Sequence, residues 1–230
     1  MVSIFVNPTQ FNDKRDFDSY PRNMAEDLRI LEELGTDLVF APGERDIYPE
    51  PDTRVFDFGG LDRVMEGTFR PGHFNGVAQV VSKLFSILHP DVAYFGEKDF
   101  QQLAIIRRMV SRLKIPVRIT GCPIVREPDG LAMSSRNRLL TPEQRSSAAR
   151  IHRALSRARE KADTLSVEAL ISETIRFVEE DRNLRVEYFE IVNDTSLLPV
   201  SNWIEPGGKR GCIAVFAGQV RLIDNMDFSL

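Results

Sequence analysis

The chain has 230 residues, 42% of them hydrophobic and 28% charged, with a net charge of −4; this is an ordinary globular composition, long enough for one large domain or two smaller ones. The acidic balance excludes a global basic field that recruits nucleic acid or anionic lipid, so any anion site must be built locally and the expected partner is a small molecule. Cys122 and Cys212 form no CxxC pair, no stretch approaches a membrane span and no basic n-region precedes an apolar run, so the expectation is a cytoplasmic protein with reduced thiols and no membrane partner.

Residues 2–6 (VSIFV) are an apolar, β-branched and aromatic run that stops at Asn7-Pro8, which reads as a strand buried on both faces and closed by a turn. Residues 20–34 (YPRNMAEDLRILEEL) carry Leu28, Ile30, Leu31 and Leu34 at helical spacing, with Gly35 as a C-cap, and 37–41 (DLVFA) read as a second strand. Residues 53–58 (TRVFDF) suggest another strand, 70–74 (RPGHF) a loop, and 75–88 a helix that stops before His89-Pro90. A strand at 91–95 (DVAYF), a helix at 99–113 and a strand at 117–121 (VRITG) follow. Such alternation implies right-handed crossovers and an α/β, Rossmann-like, doubly wound parallel sheet.

The second half changes character. Thr141-Pro142-Glu143-Gln144 is a capping-box start with proline at N1, opening a helix to about residue 162, and a second helix covers 166–181. Strands at 186–192 (VEYFEIV), 212–216 (CIAVF) and 220–224 (VRLID), the last two joined by Ala217-Gly218-Gln219, suggest a smaller α+β domain with an antiparallel sheet. The expected division is near Cys122-Pro123, separating 1–122 from 123–230.

Ligands of open α/β sheets bind outside the carboxyl ends of the strands. Those ends present Asn7 to Gln10, Gly96-Glu97-Lys98-Asp99, and Gly121-Cys122-Pro123 leading to Val125. In YFGEKDFQQL, Gly96 permits close backbone approach, Lys98 brings a point charge, and the following helix presents free N–H groups that suit phosphate. Equally, Asp99 is an N-cap with Gln102 completing a capping box and Lys98 solvated.

In LAMSSRN, Ser134, Ser135 and Arg136 either grip a polyphosphate or form a Ser-rich turn with a surface arginine. Asn7 and Gln10 either hold a small polar substrate or Asn7 only ends its strand. His73, His89 and His152 share no metal-ligand or catalytic spacing and read as structural. Arg150, Arg153 and Arg157 form a stripe read as solvated or subunit-facing. No strongly acidic cluster appears, so the expectation is no metal site of the protein's own, with any Mg²⁺ arriving on a nucleotide.

Taken together and in order, VSIFVNPTQF, YPRNMAEDLRIL, DLVFAP, EGTFRPGHFNGVAQVVSKLF, PDVAYFGEKDFQQLAIIRRMV, DGLAMSSRNRLL and the C-terminal IDNM closely resemble the pantothenate synthetases, ligases that join pantoate to β-alanine using ATP. The resemblance covers essentially the whole chain. It implies attack of the pantoate carboxylate on the ATP α-phosphate, giving pantoyl adenylate and pyrophosphate, followed by displacement of AMP by the β-alanine amine. It implies that Gln10 and Gln102, with Asn7, bind pantoate or β-alanine. Gly96, Glu97, Lys98 and Asp99 would hold ATP, Val125 would contact adenine, and Met133, Ser134, Ser135 and Arg136 would form a phosphate loop. Lys98, Ser134, Ser135 and Arg136 are then the catalytic groups, and a homodimer is implied. The family places a strand, a His-x-Gly-His loop and a helix before VSIFVNP, and these 230 residues contain no such motif. That departure gives the expectation of an N-terminally truncated sheet within a longer natural protein, or of a non-catalytic remnant that binds nucleotide or pairs with another subunit.

Overall fold

Parallel pairing starts with the first residues of the chain. The computed structural model describes residues 1–12 and 14–229. β1 (Val2–Ser3) pairs in parallel with β2 (Val39–Phe40), and the Ile4 N–H continues the ladder to the Phe40 carbonyl at 2.9 Å. Between these strands lie α1 (Lys14–Ser19) and α2 (Met24–Glu33). Asn23 caps α2 through its side chain, and Gly35 follows the helix at φ +68°, the left-handed conformation a glycine adopts without penalty.

Two single turns, α3 (Glu44–Ile47) and α4 (Glu66–Phe69), precede α5 (His73–Leu88). β3 (Val92–Gly96), α6 (Phe100–Leu113) and β4 (Arg118–Cys122) complete the α/β half. β3 and β4 pair in parallel from Val92↔Arg118 to Gly96↔Cys122. Among the described residues the two parallel pairs are not hydrogen-bonded to each other.

In the second half α7 (Pro142–Glu160) and α8 (Val167–Glu179) cover an antiparallel sheet of β5 (Leu184–Asn193), β6 (Lys209–Ala217) and β7 (Val220–Asp227), in that order. The capping box forms as read: Thr141 Oγ1 accepts from the Gln144 N–H at 3.3 Å, and Gln144 Oε1 accepts from the Thr141 N–H at 3.1 Å. Two arginines of the α7 stripe, Arg150 and Arg157, flank the Phe177 ring of α8 at 4.0 and 5.0 Å from its centroid, while Arg153 is exposed as read.

Several expectations from the sequence change. Residues 53–58 form no strand. Phe58 is a core plug, 2% exposed, and the Phe56 N–H is taken by Asn75 Oδ1 at 2.9 Å, so the apolar alternation serves packing without a ladder. The strand at 2–6 shortens to two residues because β2 offers only two partners before the chain turns at Pro8–Gln10. Residues 20–23 fall outside the helix, and α1, α3 and α4 are too short to show a 3.6-residue period.

Two apolar cores support these layers. One fills the space between α7, α8 and the antiparallel sheet with Ile151, Leu155, Leu170, Ile191, Ile213 and Leu222. The other gathers Phe58, Phe74, Val77, Ile105, Ile106 and Met109 around α5 and α6, and it also takes Val192, Leu197 and Cys212 from the second half. The two halves of the chain therefore share an apolar seam. Among the described residues no helix is long and apolar enough to cross a membrane.

The turn at Pro8–Gln10 sits directly against α5. Asn7 Nδ2 donates to the Gly76 carbonyl at 3.1 Å, and a Cβ on Gly76 would run into the Thr9 carbonyl. Gly76→Ala is therefore expected to destabilise the protein by about 1–3 kcal/mol, as overpacking does, although alanine is the better helix former. Urea denaturation of the two proteins checks this, and an unchanged or raised midpoint contradicts it.

Candidate active site

The sequence brings an Asn-Pro turn to the end of β1, and the structure shows what that asparagine does. Asn7 is 2% exposed; its Oδ1 accepts from the Tyr48 hydroxyl at 2.9 Å and from Thr9 Oγ1 at 3.1 Å, while its Nδ2 reaches the Gly76 carbonyl and, at 3.4 Å, Gln10 Oε1. Its side chain is engaged in shaping the turn that carries Gln10.

Beyond this edge α1, α4, the turn at Glu97–Asp99, the 131–139 loop and β7 enclose a cleft of about 670 Å³. Lys98, Asp99, Ser134 and Arg136 line it together with Arg15, Arg70 and Arg221. Asp99 stands at the start of α6, yet its side chain makes no capping bond, so the capping-box alternative with Gln102 does not form. Lys98 has no ion-pair or hydrogen-bond partner for its ammonium group among the described residues. With the positive end of α6 beside it, this corner concentrates positive charge of the kind that suits an anion.

The other predicted groups border the cleft. Ser135 Oγ donates to the Tyr20 hydroxyl at 3.1 Å, and the Arg136 guanidinium lies 5.2 Å from the centroid of the Tyr20 ring, so the serine loop leans on the residues ahead of α2. The Met133 N–H donates to the Val125 carbonyl at 3.0 Å and the Glu127 N–H to the Leu131 carbonyl at 2.8 Å, which sets Val125 and Met133 side by side on an exposed hairpin. Gln102 lines a small adjoining cavity of about 30 Å³ with His73, Lys98 and Asp99, and Gly96 and Glu97 lie at the end of β3. Gly96, Glu97, Val125, Met133, Ser135, Gln10 and Asn7 are outside the lining of the main cleft.

Residues without any local signature organise this region. Glu66, only 8% exposed, receives Arg221 Nη1 at 2.8 Å and Nη2 at 2.7 Å as well as the Tyr188 hydroxyl at 2.8 Å, and Arg221 also holds Glu187. Burial pushes the Glu66 carboxyl up, but the Arg221 guanidinium outweighs it and holds the group below the usual carboxylate range. Glu66 follows Met65, whose φ of 42° is a strained conformation for a side-chain-bearing residue. Arg126 grips Asp224 with contacts of 2.6 and 3.0 Å.

The available signal was the alternation in β7: Arg221 and Asn225 point to one face and Leu222 and Asp224 to the other, so polar groups occupy both faces of an otherwise apolar strand. Their partners lie far away in sequence.

His73 Nδ1 lies 2.8 Å from the Gln10 carbonyl, which only accepts, so Nδ1 carries the proton and Nε2 accepts from Arg70 Nη1 at 3.3 Å. Burial and then the Arg70 charge lower its pKa to about 4, so the ring is neutral near pH 7. The unfolded chain takes up a proton near pH 6.5 that the folded chain refuses until about pH 4, so stability falls as pH drops through that window. His73 is expected to contribute about 2 kcal/mol to the loss between pH 7 and pH 5. Urea unfolding of His73→Gln at both values should show a loss smaller by that amount, and an unchanged pH dependence contradicts the assignment.

Known proteins resemble this chain over nearly its whole length. The family model described as pantoate-beta-alanine ligase matches residues 1–227. A pantothenate synthetase from Bacteroides fragilis is 54% identical over 232 residues, covering 99% of this chain and 81% of that protein. One from Thermus thermophilus is 48% identical, covering 99% and 82%. A crystal structure of pantothenate synthetase from Thermus thermophilus superposes with a TM-score of 0.94 at 46% identity, covering all of this chain and 83% of that one. A pantoate-beta-alanine ligase from Francisella tularensis, complexed with beta-gamma ATP and β-alanine, superposes with a TM-score of 0.81 at 34% identity, covering 100% and 79%. With a family match over nearly the whole chain and relatives about half identical to it, this protein belongs to the pantoate-beta-alanine ligase family and is an enzyme of the ligase class.

Proposed function

We propose that this chain condenses pantoate with β-alanine in two steps driven by ATP. In the first, a pantoate carboxylate oxygen bonds to the α-phosphorus while the bond to the bridging oxygen of pyrophosphate breaks, giving pantoyl adenylate and pyrophosphate. In the second, the β-alanine amine attacks the acyl carbonyl, loses a proton and expels AMP, leaving the amide. The observation that carries this reading is the Lys98 corner: an ammonium with no partner among the described residues, at the α6 N-terminus, lining the same cleft as Ser134 and Arg136. The beta-gamma ATP and β-alanine in the Francisella tularensis complex are ligands that suit that chemistry.

Each residue has a place in the proposal. Lys98 and Arg136 neutralise the phosphates, Ser134 and Ser135 donate to them, and Gly96, Glu97 and Asp99 frame the nucleotide, with Val125 and Met133 at the base. Gln10 and Gln102 orient pantoate, on a turn that Asn7 shapes. Little covalent work falls to the protein, so positioning and charge neutralisation carry the rate. Residues 1–122 then bind nucleotide and pantoate while 123–230 cover the cleft, and the same reading includes a homodimer in the cytoplasm.

A divalent ion held by the protein alone does not fit these residues. Among those described, no three acidic, histidine or cysteine groups converge. Of the carboxylates in the cleft, Glu66 and Glu187 are held by Arg221 and Asp224 by Arg126, which leaves Asp99. Mg²⁺ belongs in this proposal to the nucleotide's phosphates.

Incubation with ATP, pantoate and β-alanine should release AMP and pyrophosphate, and Lys98→Ala should lower the rate about 100-fold or more without lowering the melting temperature. ATP binding without AMP release would overturn the catalytic reading in favour of a nucleotide-binding remnant.

A further inference from the structure

We propose that Asn225 is a positioning residue for Lys98, acting on the carbonyls of the turn that carries it; this rests on the reading of Lys98 as a phosphate-holding group. Asn225 is 2% exposed, and its Nδ2 donates both protons to that turn, to the Glu97 carbonyl at 2.8 Å and the Lys98 carbonyl at 3.0 Å. Its Oδ1 accepts from Arg210 Nη1 at 3.3 Å. The amide is thereby oriented without ambiguity, because carbonyls only accept and a guanidinium only donates.

Its backbone is held as firmly. The Asn225 N–H donates to Asp224 Oδ1 at 2.8 Å, Asp224 is gripped by Arg126, and Arg126 Nη2 also reaches the Asn225 carbonyl at 3.4 Å. Arg210 lies 4.6 Å from the centroid of the Phe100 ring at the start of α6. A fork of two donors on a short, buried, fixed arm meets two successive carbonyls. Aspartate has the same shape but only accepts, so it would withdraw both donors from the carbonyls and place a charge against them.

The function of the fork follows from the freedom of the lysine. The Lys98 side chain is flexible and its ammonium has no partner among the described residues, so the reach of that charge into the cleft is set by where its backbone is anchored. The anchor comes from β7, the opposite wall of the same cleft. Docking of β7 therefore places Lys98 as well as closing the site.

The test is the dissociation constant for ATP, by calorimetry on the full chain, for wild type, Asn225→Ala, Asn225→Asp, Asn225→Gln, Lys98→Ala and the double variant Asn225→Ala/Lys98→Ala. Asn225→Ala is expected to weaken ATP binding about 10- to 100-fold and Asn225→Asp at least as much, since a misplacement of about 1 Å is worth that order. Asn225→Gln, which keeps both donors, should recover part of the loss; if the alanine variant does not fold, the glutamine and aspartate variants carry the comparison. In the Lys98→Ala background Asn225→Ala should cost less than about 3-fold more, because two residues acting through one contact are not additive. Wild-type affinity in Asn225→Ala, or the same fold-loss with and without Lys98, overturns the proposal. Failure of the wild-type chain itself to bind ATP overturns the reading of Lys98 and this proposal with it.

Discussion

A carboxylate buried as deeply as Glu66 stays charged only where a guanidinium reaches it, and that guanidinium belongs to Arg221, 155 residues further along the chain. Leaving either partner alone costs about 3–5 kcal/mol, so the pair holds β7 against α4. Tyr188 completes the arrangement: burial and the adjacent Glu66 charge push its phenol well above its ordinary value, so it remains a donor to the carboxylate. The cleft exists because this contact and the apolar seam of Val192, Leu197 and Cys212 bring the antiparallel sheet onto the α/β half.

That contact also decides how charge is distributed. The chain carries a net charge of −4, yet this cleft is lined by several cations. Of the acids that line the wall, three are paired with arginines: Glu66 and Glu187 with Arg221, Asp224 with Arg126. Lys98 has no counter-charge among the described residues, and the α6 N-terminus adds its partial positive charge at the same place. Local positive charge on an acidic protein is thus a matter of which charges are paired, and net charge says little about it.

Histidine chemistry shows the same dependence on partners. His73 carries no motif, and its sequence context reads only as a loop. In the fold it opens α5 as a neutral ring, with Nδ1 committed to the Gln10 carbonyl and Nε2 to Arg70. It thereby connects the turn under Asn7 and Gln10 to the charged group around Glu66, where Arg70 stands 3.7 Å from the carboxylate.

Local signals alone were enough for the longer helices, the Thr141 capping box, the Gly35 cap, the paired β3 and β4 and the three antiparallel strands, because each rests on periodicity or capping within about a dozen residues. The segments Gly96–Asp99 and 133–136 were also legible as phosphate-binding candidates, since glycine, lysine, serine and arginine carry that chemistry wherever they stand. What local pattern left open was whether Asp99 caps α6 or faces the cleft, and whether Asn7 binds or builds. Those outcomes depend on neighbours from elsewhere in the chain: Tyr48 and Gly76 around Asn7, β7 around Lys98. Glu66 had no local signature, and for Arg221 and Asn225 the alternation of β7 marked polar groups on the strand without naming their partners. Hydrophobic period and turn chemistry are written along the chain, whereas the pairing of a buried charge with its counter-charge is a property of distances that only the folded chain sets.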